Sequence, residues 1–310
     1  MLFRSLRADV GLYAATFGLA AMSALFLPAS SALVKERVAE SRLAPFNANF
    51  EMAFQAGTLL STGIGGWFVQ LFGARPLFFF NGATFVASIL CFLAMGRRPS
   101  RPATDDATVL DVGHEAPAVT RRLRMGLGVL YALGHPVITV SNTLLVVLVI
   151  GTFREGAGVL GVVDALAGIG FFASAVLYKR LIRRVPDLRI ALVGYLASAA
   201  FITLEPQFGV LGLMFLLPGG TITFGAARVA CRTMLMRAID ERRAGRVFGA
   251  ANAFGLSMSI VATIAIAELV DRTHAVWGFA ALAALMVAVA VPTVVLVSRA
   301  QQAVGERRVT

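Results

Sequence analysis

Apolar runs of about twenty residues recur along the whole chain, each long enough to cross the hydrocarbon core of a bilayer as a helix. Nine can be read: Val10–Val34, Asn47–Leu71, Pro76–Met95, Met125–Ile150, Ala157–Tyr178, Leu188–Glu205, Phe208–Ala227, Val247–Val270 and Ala275–Ser298. Inside a bilayer the backbone finds no water, so its polar groups must pair with one another, and runs of this length do so as helices. Composition agrees. The chain is 58% hydrophobic and 15% charged, whereas soluble domains carry about a quarter of their residues as charges. The expected fold class is all-α, a polytopic membrane protein with nine transmembrane helices.

The gaps between runs give an orientation. Lys35, Arg37 and Arg42 fill the first gap, and the third, fifth and seventh are similarly basic; counted with the tail, these carry 23 Lys and Arg residues. The even gaps carry 3: Arg75, Arg154 and Arg272. Short loops rich in Lys and Arg stay in the cytoplasm. The odd gaps and the C-terminus are therefore expected to be cytoplasmic in the cell (inner) membrane, and with nine spans the N-terminus of this chain is extracytoplasmic. Arg4 and Arg7 sit against that preference.

Other classes of function are poorly supported. The net charge of +11 is spread over short gaps, unlike the clustered basic face of a nucleic-acid binder, so no nucleic-acid partner is expected. Cys91 and Cys231 are far apart and without a CxxC spacing, which indicates neither a disulfide framework nor a metal site. No nucleophile–base set or phosphate loop appears, and "GGWFVQLFG" follows no strand. No enzyme, metal or cofactor is expected.

A repeat organises the rest. "FNANFEMAFQAG" (46–57), at the start of the second span, is echoed by "FGAANAFGLSMS" (248–259), at the start of the eighth, and both follow basic stretches. The polar segment 96–124 reads as a linker between halves. Three spans precede it and six follow. Two parallel halves, each a pair of three-helix units, describe the major facilitator superfamily.

Local motifs carry the resemblance. "FLPASSALVKERVAESRLAPFNANF" (26–50) resembles the passage between the fourth and fifth helices in the macrolide and siderophore (enterobactin-type) exporters of that superfamily. "GTLLSTGIGG" (57–66) is similar to their antiporter motif, G-x-x-x-G-P-x-x-G-G: Gly57, Gly65 and Gly66 match, and Ser61 and Thr62 replace the Gly-Pro pair. "ERRAGRVFGAANAFG" (241–255) resembles the start of their eleventh helix. The resemblance implies a partial major-facilitator fold lacking its first three helices. Residues 1–95 would form the second three-helix unit of the N-terminal half, 96–124 a cytoplasmic linker, 125–298 the six-helix C-terminal half and 299–310 a cytoplasmic tail. It implies secondary active, proton-coupled efflux (antiport) of an amphipathic small molecule such as a drug or siderophore, by a monomer in the lipid bilayer. The alternative is a truncated membrane remnant or accessory protein that does not transport.

Several residues become candidates. Ionisable groups deep in a span are costly and usually face an aqueous cavity. Asp164 lies roughly 12 Å inside the fifth span, where it would carry a proton, bind a cationic substrate or hydrogen-bond to a neighbouring helix. His135, beside Pro136, is read first as a neutral imidazole satisfying backbone freed by the proline, and Asn142 follows two turns on. Glu51, one turn inside the second span, is expected to pair with loop arginines. Glu205, Glu268 and Asp271 fall near outer helix ends, where a solvated role is the default. Gly57, Ser61 and Gly65 repeat every four residues, a small-residue stripe suited to close helix packing. Phe78, Phe79 and Phe80 face lipid or add apolar wall to the cavity. Lys179, Arg180, Arg183, Arg184 and Asp187 occupy the place of the family's cytoplasmic gate loop, although most of these cations need only set topology.

The orientation is testable by labelling single cysteines placed at Thr104 and Gln301 in intact cells. Neither should react with an impermeant maleimide until the membrane is opened, and rapid labelling of either refutes the orientation.

Overall fold

The computed structural model describes residues 17–18, 21–22, 25–26, 28–94 and 117–306. Among them there is no strand. The helices are α1 (28–37), α2 (Leu43–Phe72), α3 (Ala74–Ala94), α4 (Pro117–Ala132), α5 (Gly134–Val146), α6 (Ala157–Leu181), α7 (Asp187–Leu204), α8 (Gly209–Arg237), α9 (Glu241–Arg272) and α10 (Ala275–Glu306). Six helical segments among the described residues are long and apolar enough to cross a membrane: Arg121–Thr152, Gly158–Leu181, Asp187–Gln207, Gly209–Arg237, Arg243–Arg272 and Ala275–Ala303. These are the fourth to ninth expected spans. The second and third lie on α2 and α3, and nearly half of the first lies outside the described residues.

Three boundaries differ from those read in the sequence. The expected fourth span is jointed: α4 begins at Pro117, α5 starts after a break at Leu133, and a π-helical turn (Val147–Thr152) continues it. Pro136 has no N–H to offer the carbonyl of Ala132, so the hydrogen-bond ladder is interrupted where the helix breaks. The expected seventh span runs on to Arg237, so Arg228, Arg232 and Arg237 belong to α8 rather than to a loop. Last, α10 continues past Ser298 to Glu306. Hydropathy ends a span at its first charge, whereas a helix continues for as long as its side chains find partners.

Helix α8 is the centre of the packing, held between α6 and α7. Glycines set the approach. A Cβ at Gly194 of α7 would stand 2.6 Å from the carbonyl oxygen of Thr223 and 2.8 Å from the Cβ of Ala227. A Cβ at Gly170 of α6 would stand 2.7 Å from the carbonyl oxygen of Pro218, and one at Gly225 of α8 would collide with Ser174. Lipid is as apolar as leucine, so such backbone contact is what holds membrane helices together. Tyr178, Tyr195, Phe248 and Phe279 fill the core, each nearly or wholly inaccessible.

The stripe expected on α2 is different. Gly57 is exposed, with open space where a Cβ would stand. The surroundings of Ser61, Thr62, Gly65 and Gly66 lie outside the described residues, as do those of Phe78. On α3, every residue whose side chain is described is exposed, Phe79 and Phe80 among them.

This contrast generates a stability prediction. Gly194→Val should destabilise the protein by about 1–3 kcal/mol, the usual cost of forcing bulk into a close-packed interface. Gly57→Ala should change stability by less than about 0.5 kcal/mol. Thermal unfolding in mild detergent measures both, and equal effects would refute the assignment of close contact to Gly194.

Candidate functional site

Five helices converge on a cavity of ≈ 340 Å³. Phe54 and Gln55 reach it from α2, Ser141 and Asn142 from α5, Asp164 and Phe171 from α6, Ser198 and Ile202 from α7, and Thr221, Phe224 and Arg228 from α8. Glu205, in the short turn after α7, also lines it. Most of the wall is apolar, with a few polar groups spaced around it, the usual make-up of a small-molecule site. Phe171 and Phe224 meet edge to face at 5.8 Å, and Phe224 in turn meets Tyr195 at 6.0 Å.

On one side of the cavity α2 is seated against α6 and α8 by polar contacts. Glu51 Oε1 lies 3.2 Å from Arg228 Nη1 and accepts a hydrogen bond from Gln55 Nε2 at 3.1 Å. One turn earlier on the same helix face, Asn47 Nδ2 donates to Thr233 Oγ1 at 3.1 Å and to Met236 Sδ at 3.4 Å. Lys179 Nζ donates to Asn49 Oδ1. The Arg232 guanidinium stacks over the Phe50 ring at 4.3 Å, a cation–π contact. Asn47, Glu51 and Gln55 repeat every four residues and so share one face of α2.

A second network braces the same end. Tyr178 Oη donates to Asp187 Oδ1 at 2.8 Å, and Arg237 Nη1 pairs with Asp187 Oδ2 at 2.9 Å. These groups tie the start of α7 to the ends of α6 and α8.

The expected residues therefore separate. Asp164 and Asn142 both line the cavity. Glu51 is buried and paired, but with Arg228 in the body of α8 rather than with a loop arginine. His135 is absent from the cavity wall; its Nε2 is 2.9 Å from Asn252 Oδ1 on α9, so a side chain rather than the freed backbone is its partner. Asp187 pairs with Arg237, while Arg180, Arg183 and Arg184 are exposed and form no ion pair among the described residues. Glu205 contradicts its expected solvated role: it is 2% exposed, whereas Glu268 and Asp271 are exposed as expected. Gln55, Glu205 and Arg228 were missed. The four-residue period from Asn47 to Gln55 is a signal for the first. Arg228 is hidden by its place one residue past an apolar window.

The family model described as Major Facilitator Superfamily matches residues 2–263. No protein of curated function matches the chain.

The joint between α2 and α8 gives a prediction. Glu51→Gln leaves the Arg228 charge without its carboxylate, at a cost of about 1–2 kcal/mol for a pair this far from full burial. Ala48, fully buried in that joint, reports the effect. In a background with Cys91 and Cys231 changed to Ser, Ala48→Cys should react about tenfold faster with a maleimide once Glu51→Gln is added. An unchanged rate would mean that the pair does not hold the joint closed.

Proposed function

The chain belongs to the Major Facilitator Superfamily, a family of membrane transporters, and from that premise we propose that it moves an amphipathic small molecule through the cavity around Asp164. Transport is proton-coupled efflux across the cell (inner) membrane, the basic loops and the C-terminus facing the cytoplasm and the protein acting as a monomer. One observation carries the reading. A mostly apolar cavity with a carboxylate and an amide on its wall lies beside a joint made of reversible polar contacts. A substrate's apolar body fits the aromatic wall, and its polar group meets Asp164, Asn142 or Ser198. Breaking the α2 contacts would open the cavity to the basic side, as alternating access requires. The resemblance of the α1–α2 region to macrolide and siderophore exporters supports export as the direction.

A second reading has an observation of its own. Since α3 is exposed at every residue whose side chain is described, it presents a bilayer-length apolar surface that the described residues leave largely uncovered. That fits an accessory membrane protein that does not transport by itself.

Reconstitution decides between them. Proteoliposomes holding the 310-residue chain should move a fluorescent amphipathic dye when a proton gradient is imposed. Asp164→Asn, which keeps shape and removes charge, should slow this about tenfold, the equivalent of one lost interaction of about 1.4 kcal/mol. No gradient-dependent movement by well-folded protein favours the second reading. Full transport by Asp164→Asn with an unchanged pH profile removes Asp164 from the mechanism.

A further inference from the structure

Glu205 stands apart from the other buried carboxylates. Glu51 faces Arg228 and Asp187 faces Arg237. Glu205 is 2% exposed and, among the described residues, meets neither a cation nor a hydrogen-bond donor. It lies in the 3-10 turn Glu205–Gln207, which ends α7 and is shaped by Pro206. Its carboxylate sits over Gly220 of α8: a Cβ there would come within 3.4 Å of Oε1. Gly220 also lines the cavity. The carboxylate is thus at the cavity wall, on a site that a glycine leaves open.

The elements packed against that turn are α7, α8 and α10. Their titratable and charged groups lie elsewhere on them. On α7 these are Asp187, Arg189 and Tyr195, the last donating to the carbonyl of Leu130. On α8 they are Arg228, Cys231, Arg232 and Arg237, the nearest, Arg228, being about 12 Å along the helix from Gly220. On α10 they are Arg299 and Glu306, with the exposed His274 just ahead of the helix. Across the cavity, α6 contributes Asp164. The charge balance of the wall follows. Arg228 is neutralised by Glu51, which leaves two carboxylates on the wall, Asp164 and Glu205, that form no ion pair among the described residues.

An unpaired carboxylate removed from water is stable only with a proton or a cation on it. We infer that Glu205 is a cation-exchange site in the cavity wall, holding a proton when the cavity is empty and the cationic head of an amphipathic substrate when it is filled. The substrate class is a lipophilic monocation, not an anion. The displaced proton leaves to water as the cation enters, so each binding event exchanges one positive charge for another and the wall stays neutral at Glu205. Phe171 and Phe224 line the same cavity, where aromatic rings attract cations, and the ≈ 340 Å³ volume suits a drug-sized body. This rests on the transporter reading only for its physiological use, because the binding can be measured by itself.

The probe is tetraphenylphosphonium, titrated calorimetrically into the purified full chain in nanodiscs, in two buffers of different ionisation enthalpy. Wild type should bind it with release of about one proton, and more tightly as pH rises. Glu205→Gln should weaken binding about tenfold or more and abolish proton release. Glu205→Asp should restore part of both. Binding by wild type without proton release, equal binding by Glu205→Gln, or no binding at all overturns the inference. The wild-type measurement decides even if the variants fail to fold. Binding with proton release but no transport after reconstitution keeps the site and removes the transporter reading. Transport of a neutral amphiphile by protein that does not bind the cation does the reverse.

Discussion

The ion pair between Glu51 and Arg228 is the constraint on which the arrangement depends. An arginine in the body of an apolar helix costs about 2.5–3.5 kcal/mol at the bilayer centre if it finds nothing to pair with. Here the carboxylate that meets it comes from the other side of the linker, on α2. The charge is therefore satisfied only while the two parts of the chain are together. Gln55 steadies the carboxylate from one turn away, and Asn47 extends the contact toward the helix start. Without Arg228, α2 would have little reason to seat its polar face against α8.

What lets α8 present Arg228 to α2 is the closeness with which it lies on α6 and α7. Gly194, Gly170 and Gly225 bring backbones into near contact, and Thr221 and Thr223 turn their hydroxyls back onto carbonyls of α8 itself, at Pro218 and at Gly219 and Gly220. Polar side chains are thus used up locally on the packed face. Around Pro218 the helix keeps Gly219 and Gly220, and the latter leaves space at the cavity wall. One helix serves tight packing on one face and the cavity on another because its residues alternate between small and large with the helical period.

Much of this was legible in the sequence. Span length fixed the helical class, because a bilayer leaves the backbone no alternative, and the family followed from local motifs. Asp164 stood out as an ionisable group deep in a span, open between a cavity role and a bond to a neighbouring helix, and both it and Asn142 line the cavity. Glu205 was not legible. Hydropathy places it at a helix end and cannot tell an end that meets water from one folded under a neighbouring helix. Arg228 failed for the opposite reason: one charge after an apolar run looks like a loop, and only the extension of α8 to Arg237 shows otherwise. His135 was read from its own neighbourhood, Pro136, while its partner Asn252 is 117 positions away. Long-range pairing has no local signature.

The two kinds of contact in the molecule differ in how easily they come apart. Between α8 and its neighbours α6 and α7 the contact is backbone against backbone, and parting them would leave voids that lipid chains fill poorly. Between α2 and α8 the contact adds polar pairs to the buried Leu43, Ala44 and Ala48, and the polar partners have alternatives. Arg228 is partly exposed already, Lys179 is at a helix end, and Arg232 has a ring rather than a carboxylate beneath it. Polar pairs exchange for water at small net cost, so opening at this joint would cost less than parting the packed faces. Opening removes the carboxylate of Glu51 from Arg228 and leaves that cation on the cavity wall. The wall would then lose the charge balance on which the proposed cationic guest depends. If the proposed cation exchange holds, closure of the joint and affinity for a cation would be linked through the same arginine, so a group bound on one side would be held less firmly once the α2 face had parted.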